Sequence, residues 1–198
     1  MTEPKERRIV LVRHGRSAHT FSPGWIDLDG VHRWREAYDA AGIHDASLPP
    51  PRLVAATAAA ECLMTSDLPR ALASAERLAP GRVARVSPLL RETHLEIPRW
   101  VRARWPLAVW EVCVHLHWLV RERRGEIAPP VELQRATDAV ALLDEVSREA
   151  PTVVVVTHGA FRRLLALRLQ ATGWLAEPRV GGFQNWSSWP FSSRGQSR

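Results

Sequence analysis

Lysine occurs once in this chain, at Lys5, so all but one of its 27 basic residues are arginine. Arginine scattered along the whole length reads as solvated faces and a compositional bias. It argues against a nucleic-acid-binding patch even at a net charge of +6. The same balance draws anionic substrates toward a site. Cysteine is almost as scarce: Cys62, in an expected strand, and Cys113, in an expected helix, make no disulfide framework and read as buried, reduced thiols. No uncharged apolar run is long enough to span a membrane. The charged opening from Met1 to Arg8 lacks the apolar stretch of a signal peptide, so cytoplasmic residence without a membrane partner is expected. No repeat or low-complexity domain is present. With 45% hydrophobic and 24% charged residues, the 198 residues are expected to form a single domain over 1–198.

What is present is a pair of apolar runs with the same ending. Ile9-Val10-Leu11-Val12 leads into Arg13-His14-Gly15, and Val153-Val154-Val155-Val156-Thr157 leads into His158-Gly159. Continuous β-branched runs of this length read as strands buried on both faces. Polar residues at their carboxyl ends sit where open α/β sheets bind ligands. Two histidines placed this way can converge on one site. A neutral imidazole there can attack an electrophile, while a second histidine and nearby arginines hold the anion it attacks.

Between these runs strand and helix alternate. A helix is expected over 30–42, with Trp34, Ala37, Tyr38 and Ala41 on one face and Gly42 as its stop. Pro49-Pro50-Pro51 breaks the chain before an alanine-rich helix. Strands are expected over 61–66 and 83–87, and helices over 68–78, 131–149 and 160–172, the last stopped by Gly173. A tryptophan-rich helical insertion occupies 98–130, and its Trp100, Trp105, Trp110 and Trp118 read as core. In the tail, Trp174, Trp186 and Trp189 are expected to pack against the body near the site, with 192–198 disordered. The pattern predicts an α/β three-layer sandwich, a mostly parallel central sheet flanked by helices.

The stretch Val12-Arg13-His14-Gly15-Arg16-Ser17 resembles the opening motif of the histidine phosphatase superfamily, the phosphoglycerate-mutase-like enzymes. Three further segments resemble that family in order and spacing. Thr65-Ser66-Asp67-Leu68-Pro69-Arg70-Ala71 is similar to its second arginine motif, Leu90-Arg91-Glu92-Thr93-His94 to the segment carrying an acid, and Val156-Thr157-His158-Gly159 to its second histidine motif. The resemblance implies a phosphatase that needs neither metal nor cofactor and hydrolyses phosphomonoesters through a phosphohistidine on His14. A phosphorylated small molecule or phosphoprotein would be its substrate. Arg13, Arg70 and His158 would hold the phosphoryl group, with Ser17 and Gly159 completing the pocket. Glu92 would be the acid, with Glu96 as its competitor, and 98–130 would form a lid that chooses the substrate. A mutase-type phosphotransferase and a non-catalytic phospho-ligand binder are the alternatives. A long mutase-type tail over the site is not evident.

Phosphoryl transfer is largely positioning plus cationic stabilisation, because the group in flight carries its charge on equatorial oxygens. Arg13 and Arg70 can offer those oxygens planar donor forks that lysine lacks. His14 would attack through Nε2 while Nδ1 donates to a backbone carbonyl, and His158 would be protonated once phosphate is bound. Two positions depart from the family pattern. Arg16 stands where Glu or Gln is usual, and it is either a rim cation favouring a second anionic group or an exposed arginine. Thr20 replaces an asparagine donor if its hydroxyl points inward. His94, His115 and His117 are weighed as metal ligands, but helical residues two apart do not share a face, and no metal is expected.

Overall fold

The computed structural model describes residues 6–93, 103–124, 126 and 128–193. In chain order the elements are β1 (Arg8–Arg13), β2 (Trp25–Ile26), α1 (Leu28–Ala40), α2 (Pro51–Ala58), β3 (Cys62–Thr65), α3 (Pro69–Leu78) and β4 (Arg85–Val86). After a 3-10 turn (Pro88–Leu90) come β5 (Trp105–Pro106), α4 (Leu107–Arg123), α5 (Pro130–Glu149), β6 (Thr152–Thr157), α6 (Gly159–Ala171), β7 (Leu175–Ala176) and β8 (Ser188–Ser192). One six-stranded sheet runs β4-β3-β6-β1-β8-β7, and β2 pairs with β5 separately. Neighbours from β4 to β1 are parallel, whereas β8 lies antiparallel to both β1 and β7.

The two apolar runs form the centre of this sheet because they are buried on both sides. Alternate side chains serve opposite layers. Ile9, Leu11, Val153 and Val155 pack under Leu143 of α5 and Phe161 and Leu165 of α6. Val10, Val12, Val154 and Val156 pack on Leu53 of α2 and Ala71, Ala75 and Leu78 of α3. The expected α/β three-layer architecture is therefore present. Its mostly parallel sheet is completed by β7 and β8, which the sequence pattern did not signal.

Local signals explain the helix starts. α1 begins at Leu28, earlier than expected, because Asp27 caps it and accepts from the Gly30 amide at 2.8 Å. Pro69 and Pro130 open α3 and α5, where a missing N–H costs nothing. Within the 98–130 insertion, Trp110 is buried with Val31 and Val114, and its indole donates to the Ile26 carbonyl at 2.9 Å, fastening α4 to the end of β2. Cys62 is buried, whereas Cys113, expected to be buried too, is half-exposed on α4. Ser192, expected to be disordered, is the last residue of β8 opposite Arg8, and Ser193 donates its amide to the Arg7 carbonyl at 2.8 Å. The remaining tail, 194–198, lies outside the described residues, as does Trp100. Among the described residues no helix is long and apolar enough to cross a membrane.

Candidate active site

Parallel pairing of Arg13 with Thr157 ends β1 and β6 side by side, so the next residues, His14 and His158, emerge together at the carboxyl edge of the sheet. Their rings lie 5.1 Å apart, centroid to centroid, tilted by 55°. His14 Nδ1 is 2.7 Å from the Gly15 carbonyl, which can only accept. The ring proton therefore sits on Nδ1, and Nε2 carries the lone pair. His158 is the N-cap of α6, with Nε2 2.9 Å from the Ser66 hydroxyl.

Arg70, in the first turn of α3, is wholly buried. One terminal nitrogen donates to Asp39 Oδ1 at 2.9 Å and to the Tyr38 carbonyl at 3.2 Å, and the guanidinium lies 4.5 Å over the Tyr38 ring. Its Nε and Nη2 find no partner among the described residues. Neither do Arg13 Nε and His158 Nδ1, although all four atoms are buried. Buried donors are nearly always satisfied, so several orphans beside a free imidazole lone pair mark a place built for an anion.

Burial, reinforced by the Arg70 cation, lowers the His14 pKa from its ordinary 6.5 to about 3, against a smaller upward effect of the Gly15 carbonyl. His158 is pushed well below its usual value by burial first and then by His14 and Arg70. Both rings are thus neutral near pH 7. From the sequence, a protonated His158 is expected only with phosphate bound, where the anion would act in the opposite direction. The depressed values have a stability consequence. Unfolded histidines take up protons below about pH 6.5 that the folded rings refuse until far lower pH, so stability is intact above that point and declines as pH falls through it. The loss should be on the order of 1 kcal/mol per pH unit for each ring. Thermal melts from pH 7 to pH 4.5 should show a falling Tm, and His14→Asn should flatten the slope. A pH-independent Tm would contradict the neutral pair.

Glu92 follows the 3-10 turn, and its Oε1 accepts from the Thr93 and Phe161 amides, both at 2.9 Å. Its other oxygen makes no hydrogen bond among the described residues. Glu96 and His94 lie outside those residues. Glu92, Arg13, Arg70 and Gly159 line one cleft of about 560 Å³, with His14 and His158 buried behind them. Gly159 lies against the Arg13 guanidinium, where a Cβ would sit 3.4 Å from its central carbon, at the edge of ordinary contact. Ser17 is buried but accepts from the His19 amide at 3.1 Å and does not line the cleft. Arg16 and Thr20 are exposed and also fall outside the lining.

Several site residues went unread. Trp34 and Tyr38, expected to share one face of their helix, stack on each other with centroids 5.3 Å apart and line the cleft. The insertion divides its tryptophans: Trp110 is core, whereas Trp118 joins Glu111 and His115 of α4 in the wall. Segment 182–187 seats the first motif. Asn185 donates to the His14 carbonyl at 2.9 Å, the Trp186 amide to the Arg13 carbonyl at 3.1 Å, and a Cβ on Gly15 would strike the Trp186 ring at 2.5 Å. A tryptophan-bearing tail was the only hint. Among the described residues no group of three or more His, Cys, Asp or Glu could hold a metal ion.

The family model of the histidine phosphatase superfamily (branch 1) matches residues 9–188. Comparison with curated proteins finds no match. Among solved structures, mycobacterial glucosyl-3-phosphoglycerate phosphatase is similar at 21% identity, covering 96% of this chain and 92% of that one, with a TM-score of 0.58. Mycobacterial hydrolase 2 is similar at 23% identity, over 94% and 82% of the two chains, with a TM-score of 0.57. Phosphoserine phosphatase from Entamoeba histolytica, in complex with 3-phosphoglyceric acid, has 13% identity over 83% and 80%, with a TM-score of 0.54. At these identities the likeness is one of fold.

Proposed function

The chain belongs to the histidine phosphatase superfamily (branch 1), and from that premise we propose that it is a metal-independent phosphatase acting on phosphomonoesters through a phosphohistidine on His14. The observation that carries this reading is the set of buried, unpartnered donors of Arg13 and Arg70, together with the unpartnered Nδ1 of His158, near the free Nε2 of His14. Nε2 attacks phosphorus in line, and the ester P–O bond breaks. Glu92 in its acid form gives its proton to the departing alcohol oxygen. Water then attacks the phosphohistidine, Glu92 takes a proton from that water, and inorganic phosphate leaves with His14 restored. The arginine forks match the equatorial oxygens throughout.

The cleft suits a small phosphate ester, and the relatives named for glucosyl-3-phosphoglycerate and phosphoserine both take esters of alcohols. The reading therefore extends to phosphorylated small molecules first and phosphoproteins second. Phosphate release from a panel of metabolites, phosphopeptides and an aryl phosphate ranks them.

Leaving-group dependence tests the acid. An alkoxide needs a proton as it departs, whereas nitrophenolate hardly does. Glu92→Gln should lower kcat on alkyl phosphates by about 10²-fold or more and on nitrophenyl phosphate by far less. Glu96→Gln should treat both substrates alike. The reverse pattern, selective loss in Glu96→Gln with Glu92→Gln unaffected, would move the role to Glu96.

A further inference from the structure

Arg162 lies on the inner face of α6 and is 0% exposed, yet no carboxylate pairs with it among the described residues. Nη1 donates to the Ser187 carbonyl at 2.8 Å and to its hydroxyl at 2.9 Å, and Nη2 donates to the Gly182 carbonyl at 3.4 Å. The guanidinium also lies 4.1 Å from the centroid of the Trp189 ring. Burial, then the Arg13 and Arg179 cations, lower its pKa to about 9, against a smaller upward effect of the Glu92 carboxylate, which makes no ion pair with it. A cation in a core without a counter-ion is costly, and an apolar side chain of similar size would avoid that cost.

What the arginine does there is visible in its partners. Gly182 and Ser187 are the two ends of the segment that seats the first motif, and one planar fork spans both. The Ser187 carbonyl uses its second lone pair to accept from the Arg13 amide at 3.0 Å. Between those ends, Asn185 and Trp186 hold the carbonyls of His14 and Arg13. Trp186 does so at φ +61°, a left-handed conformation that is unfavourable for a bulky side chain and persists only when its surroundings impose it.

We propose that Arg162 is a positioning residue for phosphoryl transfer: by bridging Gly182 and Ser187 it holds the segment that fixes the main chain of Arg13 and His14, and with it the in-line approach of Nε2. This rests on His14 being the nucleophile. Arg162 does not line the cleft, so its removal should divide rate from binding.

The test uses the full chain and four variants, Arg162→Met, Arg162→Lys, Arg179→Met and Asn185→Ala, with the Arg162→Met/Asn185→Ala double. Arg162→Met should lower kcat on nitrophenyl phosphate by about 10²-fold, the scale of a misplacement near 1 Å, while inhibition by inorganic phosphate stays within about threefold. Arg162→Lys should recover about tenfold, since one ammonium can reach both oxygens of Ser187 but not Gly182 as well. Arg179→Met removes the other cation on Trp189, 3.9 Å from that ring, and should leave kcat unchanged. The double variant should lose little more than the worse single, because both act through one segment. Hydrogen exchange gives a readout independent of turnover: amides of 13–17 should exchange faster in Arg162→Met, while those of α5 stay as in the parent. Failure to trap a phosphoryl group on parent His14 sinks the proposed function, and the exchange pattern still decides whether Arg162 holds the motif. Proportional loss of rate and phosphate affinity, multiplicative losses in the double variant, no recovery with lysine, or exchange that is unchanged or uniformly faster would overturn the positioning role.

Discussion

His14→Ala should remain folded and lose turnover of phosphomonoesters by on the order of 10⁴-fold or more, because no neighbouring group can replace the imidazole as nucleophile. His158 lies beside it, but its Nε2 is engaged with Ser66 and its Nδ1 has no carbonyl partner among the described residues to fix a tautomer as Gly15 does for His14. Folding should survive because His14 gives the core one short contact to its own neighbour, Gly15, while the main chain is held by Asn185 and Thr157. In the parent, rapid quench with labelled substrate should trap an acid-labile, base-stable phosphoryl adduct that the variant lacks. Near-normal turnover by folded His14→Ala would end the proposal.

The second large effect belongs to Arg70. Removing it leaves transition-state charge without a bidentate partner, a loss of about 3 kcal/mol by analogy with deleted oxyanion donors, or between 10²- and 10³-fold in kcat. Arg70→Lys should recover little. Asp39 and the Tyr38 carbonyl occupy one end of the guanidinium, so Nε and Nη2 remain as a preset fork, and a lysine ammonium drawn to Asp39 leaves nothing to replace that fork. Chelators should leave the parent active. Inactivation by chelator that a divalent metal reverses would point to different catalytic machinery, and full rescue by lysine would show that charge alone suffices.

The centre of the sheet was legible because Ile9 to Val12 and Val153 to Val156 are short, apolar on both faces and rich in β-branched residues, which favours a strand over a buried helix. The motifs followed from it, since each sits at a strand's carboxyl end. β8 was not legible. Its sequence, Ser188 to Ser192, has serine at both ends and Pro190 in the middle, which reads against a strand. It is tolerated because β7 is only two residues long and the Pro190 carbonyl still accepts from Glu177 at 3.0 Å. β2 and β5 are too short to show any period. That Tyr38 faces a cleft was not legible, because a helix face toward a cleft and one toward a core carry the same apolar spacing. Arg162 was invisible for the opposite reason: an arginine reads as surface, and only the fold shows that its partners are carbonyls inside.

The bond from Asn185 to His14 joins residues 171 positions apart. During synthesis the first motif leaves the ribosome long before segment 182–187, and until that segment arrives the carbonyls of Arg13 and His14 lack the partners that hold them. Closing so long a loop costs entropy that only the finished sheet offsets, which favours slow, late consolidation. A chain that stops before Gly181 carries His14, Arg70, Glu92 and His158 and keeps the bond from the His14 amide to Thr157, but it lacks Asn185 and Trp186, which hold the carbonyls of His14 and Arg13. Competence therefore arrives with the last strand, and a fragment can hold all the chemistry while performing none of it.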